Sequence, residues 1–286
     1  MTHPVTGIDH VFLLANDLDD AARRYAALGF TLSPRGLHSA AKGSANYTIM
    51  FPRDYFELLG IITPTEGNAS RRETLEKMGQ GLHAIACRIG DAEAAASALT
   101  ALGIETRDLN SFERPVPLPS GGTGTAAFST VSFSPSEVPL GTVFMFQHRT
   151  PDTVWLPELL THPNTACGLG SVLAISEDPL ADGERFARLW AHGRVMASAG
   201  GATVDTGADS APLSLLTPSV MAQLYPGIDL KATPRGAFTA LRVQVADMAA
   251  AKSCVEAAGI APVSTTLGIA VPAQDACGMI VEFVPA

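Results

Sequence analysis

Two chemically reactive side chains lie in segments that have the residue pattern of a β-strand. They are the imidazole of His10 and the carboxylate of Glu57. Both groups bind divalent metals, and both serve as acids and bases in enzymes. Each stands in a run of mainly apolar residues, where an isolated carboxylate is costly unless it is paired. We interpret His10 and Glu57 either as metal ligands or catalytic groups, or as a structural His–Glu pair.

The segment around His10 has the pattern of a strand followed by a helix. Residues 8 to 15 are mostly aliphatic and lack a helical period, which predicts a strand. Apolar residues in 18 to 28 follow helical spacing, and Gly29 predicts the helix end because a left-handed backbone often follows the last turn. Strand-like runs come next at 30 to 33, 45 to 51 and 55 to 61. The unit is βαβββ.

The same unit recurs along the chain, which is the signature of an internal repeat. Residues 82 to 104 superpose on the first copy when Asp91 is laid on Asp17, and they align without a gap with residues 238 to 260. A weaker copy places Asp178 at the same point. The sequence therefore predicts an α+β fold built from four βαβββ units.

Several segments carry a family resemblance: Ile8-Asp9-His10-Val11 with Asp17, Ser44-Ala-Asn46-Tyr-Thr-Ile-Met-Phe51, Tyr55-Phe-Glu57-Leu-Leu-Gly60, and Thr150-Pro with Val154-Trp155 and His162-Pro-Asn164. They resemble the vicinal oxygen chelate superfamily, which includes glyoxalase I, extradiol dioxygenases and bleomycin-resistance proteins, and most of all its glyoxalase-like branch. The resemblance implies paired units whose curved mixed sheets form a cup. It divides the chain into a domain at 1–150 that holds the site, a linker at 151–167, and a domain at 168–286 with a degenerate site.

The resemblance also implies metal ligands on the first and last strands of each unit. His10 and Glu57 match these positions in the first unit. In the second unit Ala84 and Met145 occupy them, so half of the expected ligand set is missing. His83 lies one residue from the ligand position, and it reaches the site only if a bulge resets the register of its strand.

The later units offer one further ligand candidate. Ser171 and Ala240 occupy the first-strand positions, whereas Glu282 keeps its place on the closing strand. If a metal is bound, we therefore expect it either in the cup of the first half or in a cup shared by the first and fourth units, where His10, Glu57 and Glu282 would meet.

Side-chain alternation suggests which residues contact a substrate. Arg88 and Gln147 share the expected cup-facing parity in the second unit, and an Arg fork matches the geometry of a carboxylate. Asn46 is a further polar candidate, and Met145 extends an apolar wall. The default interpretation of the remaining strand-end and loop histidines is a solvated or backbone-bonded side chain; they are His38, His148 and His162.

Composition narrows the classes of partner. The chain has 286 residues, 47% of them hydrophobic, and a formal net charge of -9, without the basic clusters that nucleic acids and anionic membranes attract. The four cysteines form no CxxC pair, and the N-terminal residues lack a basic segment followed by an apolar run. We expect a cytoplasmic protein that binds a small molecule, no nucleic acid, no membrane and no nucleotide cofactor.

Two functions from different classes remain open at this point. In the first, a divalent metal (Fe, Zn, Mn or Ni) held by His10 and Glu57 binds an oxygen-bearing organic substrate, and Glu57 doubles as general base in a lyase, isomerase or dioxygenase reaction. The alternative is a metal-free protein that sequesters small molecules, as bleomycin-resistance proteins do. A closed second half that serves structure or dimer formation is compatible with both, and we expect a homodimer.

Overall fold

The computed structural model describes residues 2–118 and 121–286, in which strand pairing defines four strand groups. The first comprises β1 (Ile8–Ala15), α1 (Leu18–Ala27), β2 (Gly36–Leu37), β3 (Ser44–Met50) and β4 (Tyr55–Ile61). After α2 (Ala69–Met78), the second comprises β5 (Gly81–Arg88), α3 (Ala92–Ala101), β6 (Thr106–Pro117), β7 (Thr123–Phe133) and β8 (Thr142–His148). The third comprises β9 (Ala166–Ile175), α4 (Pro179–Ala187), β10 (Arg194–Ser198), β11 (Gly201–Asp205) and β12 (Leu213–Leu216), and α5 (Pro218–Leu224) follows it. The fourth comprises β13 (Phe238–Val245), α6 (Met248–Ala257), β14 (Val263–Ser264), β15 (Ile269–Val271) and β16 (Ile280–Pro285).

The strands form one open, curved, mixed sheet. In each group the first strand pairs in parallel with the last, as β1 does with β4 and β5 with β8, and the other pairs are antiparallel. The first strands of neighbouring groups also pair, β1 with β5 and β9 with β13, and Phe238 of β13 stands opposite Leu82 of β5. The predicted α+β class with a curved mixed sheet is confirmed.

The repeated aspartates explain why helices begin at equivalent points. The side chains of Asp17, Asp91, Asp178 and Asp247 each accept a hydrogen bond from a backbone N–H in the first turn of the helix that follows. Glycines with positive φ follow three of these helices: Gly29, Gly103 and Gly259. Among the described residues, no helix has both the length and the apolar character needed to cross a membrane.

The strand expected at 30–33 lies further along the chain, at Gly36–Leu37. Pro34 follows the expected strand directly and has no N–H to donate to a neighbouring strand. The N–H of Ser33 instead makes a single bond to the carbonyl of Thr48. This segment therefore leads from α1 to the cleft without joining the sheet.

The helix-bearing sides of the first and fourth strand groups share one hydrophobic core. The rings of Phe30 and Phe283 stack with centroids 5.7 Å apart, and the hydroxyl of Tyr25 donates to the carbonyl of Ala276. Buried aromatic rings contribute a large part of the apolar area that stabilises a core. The division into domains at 1–150 and 168–286 stays a prediction, since this core draws on both parts.

Candidate functional site

A cleft of about 920 Å³ lies between the first two strand groups. From β1 it is lined by His10 and Phe12, and from β4 by Tyr55 and Glu57. These residues share the cleft face because alternate side chains of a strand point to the same side of the sheet. The long hairpin of β6 and β7, helix α2 and the segment before β3 contribute the other walls.

His10 and Glu57 meet in this cleft. Because β1 and β4 are parallel neighbours, His10 Nε2 lies 3.9 Å from Glu57 Oε2. The other oxygen of Glu57 accepts a hydrogen bond of 2.8 Å from Asn46 Nδ2, and the ring of His10 stacks on Tyr55 with centroids 4.3 Å apart. Both side chains are therefore fixed, and both present one free atom to the cleft.

A bulge in β1 brings a second carboxylate to the same place. Ile8 stands opposite Cys87 and His10 stands opposite Ala86, so Asp9 is an extra residue with no partner on β5. Regular alternation would turn Asp9 away from His10, whereas a bulge redirects the side chain. Asp9 Oδ1 consequently lies 2.7 Å from His10 Nδ1.

Asp9 accepts hydrogen bonds from two imidazoles. Its Oδ1 lies 2.7 Å from His10 Nδ1 and 3.1 Å from His148 Nε2. Burial alone would raise the pKa of this carboxyl, but the bonds and charge interactions with His10 and His148 outweigh burial and hold the pKa well below its ordinary value. Since a carboxylate only accepts, Nδ1 of His10 donates a hydrogen bond to Asp9, and Nε2 faces the cleft.

His148 belongs to this network although sequence reasoning assigned it no site role. Its ring is enclosed by aromatic side chains, with the Trp155 centroid 4.6 Å away and that of Phe146 4.8 Å away. Its Nε2 donates to Asp9, and its Nδ1 is buried without a hydrogen-bond partner in the described part of the chain. The alternation of Phe144, Phe146 and His148 was the signal that could have placed His148 on the cleft side, whereas no pattern in the sequence indicated the bulge at Asp9.

The residues of β8 that face the cleft are not the ones that the sequence predicted. Met145 was expected in the cup, but it is fully buried in the main core, and Phe144 lines the cleft. Phe144 stands opposite Ala86, just as Glu57 stands opposite Phe12 in the first strand group. Because successive side chains point to opposite faces of a sheet, a shift of one residue exchanges the residues on the two faces of the strand. An aromatic ring therefore takes the place of the second carboxylate.

The two predicted substrate contacts of the second unit lie away from the cleft, Gln147 because of this parity of β8 and Arg88 because it bonds backbone carbonyls at the end of β5. Arg88 donates to the carbonyls of Ile8 and Arg53, and its Nε lies 3.8 Å from Asp9 Oδ2. Gln147 Oε1 accepts from the N–H of Ala92 at the start of α3. Neither lines the cleft. Of the predicted substrate-binding residues, Asn46 alone does so.

His83 lines the cleft, and its strand has a bulge of the kind that its prediction required. The pairing of β1 with β5 shifts between Phe12 and Leu13, and His83 is the extra residue of β5. Its Nε2 lies 2.7 Å from the carbonyl of Gly79, and burial lowers its pKa. That nitrogen is therefore occupied by a backbone bond.

Glu282 is fully buried on the closing strand of the fourth strand group and belongs to a separate cluster. Its carboxylate accepts from Arg242 Nε at 2.6 Å and from the Tyr225 hydroxyl at 2.8 Å, and it also binds the hydroxyl of Thr265. None of these residues lines the cleft. The structure does not bring Glu282 together with His10 and Glu57.

Of the other two histidines with this default interpretation, His162 bonds the backbone as expected, whereas His38 bonds a serine hydroxyl and lines the cleft. His162 accepts from the N–H of Thr31 and donates to the carbonyl of Met50. His38 Nδ1 lies 2.8 Å from Ser44 Oγ. Burial lowers the pKa of both, that of His38 to about 4. Both rings are therefore neutral at pH 7.

By donor type, Asp9, His10 and His148 could hold a metal ion, because one ligand atom from each lies within 4.8 Å of the others. Two atoms that share one tetrahedral zinc ion lie about 3.4 Å apart, given metal bonds of about 2.1 Å. The Asp9 oxygen lies closer than this to both nitrogens, at 2.7 and 3.1 Å. The arrangement fits a carboxylate between two N–H donors better than a metal centre.

In the cleft, His10 Nε2 and Glu57 Oε2 are the donors that would hold a divalent metal. Ala84 and Phe144 supply no ligand at the two other positions. Of the described residues that line the cleft, five are basic and two acidic; the basic ones are Arg35, Lys42, Arg71, Arg107 and Arg114. Two protein ligands among excess positive charge do not fit a tightly held resident cation.

Comparisons with known proteins agree with this architecture. The model of the glyoxalase-like domain family matches residues 8–192. No curated protein sequence is similar enough to this chain to count as a match. The chain is similar in fold to a hypothetical protein from Staphylococcus aureus, with a TM-score of 0.69, 14% identity, and coverage of 98% of this chain and 99% of the other.

Two enzymes of known structure share the fold, with similar sequence identities and TM-scores to this chain. A variant of homoprotocatechuate 2,3-dioxygenase from Brevibacterium fuscum has a TM-score of 0.58 and 14% identity, and the match covers 100% of this chain and 72% of the enzyme. The Mn(II)-bound glyoxalase from Novosphingobium aromaticivorans has a TM-score of 0.55 and 14% identity, and the match covers 99% of this chain and 82% of the glyoxalase. At a sequence identity of this size, the similarity shows a shared fold and does not show a shared function.

Proposed function

The chain belongs to the glyoxalase-like domain family of the vicinal oxygen chelate superfamily, and from this premise we propose that it is an enzyme that moves a proton on a small oxygen-bearing organic substrate. The single observation that carries the proposal is the Asp9–His10–Glu57 arrangement. Asp9 accepts a hydrogen bond from Nδ1 of His10, and Glu57 Oε2 lies 3.9 Å from the other ring nitrogen, Nε2, on the cleft side. An oriented imidazole beside a carboxylate is a common acid–base device.

His10 is the first proton acceptor in this proposal. A C–H or O–H of the substrate at hydrogen-bond distance from Nε2 gives its proton to that nitrogen, and the ring becomes a cation. Asp9 and Glu57 flank this cation and stabilise it, as the buried Asp stabilises the imidazolium in a catalytic triad. Glu57 Oε2 faces the same part of the cleft, 3.9 Å from Nε2, so a bound substrate can contact both groups and the predicted base role of Glu57 becomes a role shared with His10.

The surroundings orient the pair and limit water. Asn46 holds one Glu57 oxygen, and Tyr55 holds the His10 ring by stacking. Phe144 and Phe146 contact His10 edge-on, with centroids 6.0 and 4.8 Å from its own. Apolar walls with a few convergent polar groups are typical of small-molecule sites. Lyase or isomerase chemistry needs only the proton-transfer groups that are present, and we favour it over dioxygenase chemistry.

A binding protein without catalysis is the second candidate. It is favoured by Ala84 and Phe144, which remove two of the four ligand positions that the family resemblance implies. Such a protein would use the same cleft, and its His10 and Glu57 would make only structural contacts. Binding would then survive substitutions that abolish proton transfer, and no proton transfer would be measurable in the natural protein.

The test follows hydrogen exchange at carbon. Small α-hydroxy and α-keto carbonyl compounds that raise the melting temperature are incubated with the protein in D₂O, and NMR measures deuterium incorporation next to the carbonyl. We expect exchange by the wild type, a loss of at least about 100-fold in His10→Gln and Glu57→Gln, in line with the usual contribution of a general base, and no change in the exposed control His192→Gln. A compound that binds without exchanging supports the binding protein, and exchange that begins only with added Zn²⁺ or Mn²⁺ supports a metal-assisted enzyme.

A further inference from the structure

We propose that the cleft takes an organic anion, with a carboxylate or phosphate group attached to an apolar body of ring size, and that Lys42, Arg71 and Arg114 bind the anionic group. The inference rests on the proposed function in that it names the substrate class of the same cleft. It concerns binding alone, so it can be tested without any turnover.

The first step of the argument is the distribution of charge. The chain has an excess of acidic residues and a formal net charge of -9, yet five of its 19 lysine and arginine residues line this cleft. Arg35 pairs with Asp19 at 3.1 Å, and Arg107 pairs with Asp108 at 3.3 Å. The other three basic side chains have no ion-pair partner within 4.0 Å among the described residues.

The second step is that these three cations come from separate elements. Lys42 precedes β3, Arg71 lies on α2, and Arg114 lies on β6. All three are partly buried, and burial lowers their pKa values, while the charge of Glu57 acts in the opposite direction on each. Gathering like charges in a partly desolvated space is unfavourable unless an anion compensates them. One carboxylate, that of Glu57, faces three cations.

The third step is that two of the three cations, Lys42 and Arg114, are held in place. Lys42 Nζ lies 3.6 Å from the centroid of the Phe112 ring. Arg114 lies against Gly36 so closely that a Cβ there would be 3.1 Å from its Cζ. Neither Arg71 nor Arg114 donates a side-chain hydrogen bond to any residue in 2–118 or 121–286. Guanidinium groups that are positioned but unbonded match the fork geometry of carboxylate and phosphate oxygens.

The fourth step concerns the rest of the ligand. Aromatic rings line the cleft beside the cations and continue towards the acid–base pair; they are Phe12, Phe112, Phe128, Phe144 and Phe146. These rings provide an apolar surface for a ring-sized body, and a volume of about 920 Å³ accommodates it. Because the three cations line the same cleft as His10 and Glu57, an anionic group that they bind shares this cleft with the acid–base pair.

The experiment measures equilibrium binding by calorimetry at fixed ionic strength, with benzoate and phenyl phosphate as anionic probes, benzamide as the neutral counterpart of benzoate, and inorganic phosphate alone. We expect at least one aromatic anion to bind at least about ten-fold more tightly than benzamide. Arg71→Gln, Arg114→Gln and Lys42→Gln should each weaken that binding about 10- to 100-fold, the loss expected for a charged hydrogen bond. Arg72→Gln is the matched control, because Arg72 is on the same helix but outside the cleft.

The outcomes separate the two proposals. Equal binding of benzoate and benzamide, binding of no anion at millimolar concentration, or unchanged binding in all three variants would overturn the anion site. Preference for benzoate or for phenyl phosphate supports it and identifies the group, and tight binding of inorganic phosphate assigns the site to phosphate. Anion binding without hydrogen exchange would contradict the proposed enzyme and leave the anion site standing.

Discussion

Asp9 Oδ1 lies 2.7 Å from Nδ1 of its neighbour His10, although adjacent residues of a regular strand point to opposite faces. The bulge in β1 removes this constraint, since Asp9 has no partner on β5. The carboxylate also receives the Nε2–H of His148, from a strand of the second group. Asp9, which also bonds a histidine from a distant strand, thus orients the ring of its neighbour so that Nε2 of His10 faces the cleft.

We predict that Asp9→Asn destabilises the protein at pH 7 by about 3–5 kcal/mol, the usual cost of breaking a buried charged pair. The pKa of Asp9 lies below its ordinary value of 3.8 in the folded protein. Its contribution to the free energy of unfolding is therefore complete above that pH and is lost as the pH falls below it. Urea unfolding from pH 7 to pH 3 should show the difference between wild type and Asp9→Asn shrink below about pH 4. A constant difference would contradict the charged state of Asp9.

Metal removal should leave the protein unchanged. A ligand at a hundred times its Kd stabilises by about 2.7 kcal/mol, so a tightly held metal would produce a clear shift in melting temperature. We expect elemental analysis to find no stoichiometric Fe, Zn, Mn or Ni, and chelator to shift the melting temperature by less than about 1 °C. If the wild type carries a metal that both His10→Ala and Glu57→Ala lose, our assessment of the donor set is incorrect.

Restoring the two missing ligands should create a metal site. The double variant Ala84→His with Phe144→Glu places an imidazole and a carboxylate at positions equivalent to those of His10 and Glu57. Four donors are the usual number for zinc. We expect the variant to bind one equivalent of Zn²⁺ in a calorimetric titration in which wild type binds none. Ala84→His with Met145→Glu is the matched control, because Met145 faces the core; equal zinc binding by both would contradict the assigned parity of β8.

Glu282 should serve stability and not binding. Its carboxylate is fully buried and bonded to Tyr225, Arg242 and Thr265. Glu282→Gln leaves Arg242 without its counter-charge, so we predict a loss of about 3–5 kcal/mol in the free energy of unfolding. Calorimetry with benzoate at a temperature where the variant is folded should give the wild-type affinity. A weakened affinity would instead connect the fourth strand group to the cleft, as a shared cup would require.

The sequence by itself determined the fold class and the first half of the site. The recurring aspartates Asp17, Asp91, Asp178 and Asp247 are helix N-caps, a local interaction that needs only a side chain and the next turn. Alternation along β1 and β4 likewise places His10 and Glu57 on the face that lines the cleft. Such features follow from neighbouring residues, so a pattern in the chain is enough to predict them.

The tertiary structure decided what the other residues do. The bulge at Asp9 and the parity of β8, which exchanges Met145 for Phe144, depend on how one strand registers against another. The cluster of Lys42, Arg71 and Arg114 depends on three separate elements that converge on one cleft. Strand register and the convergence of separate elements both depend on contacts between residues distant in sequence. A change of one residue in a connecting segment turns a strand's side chains to the opposite face, so no local pattern determines which of them line the cleft.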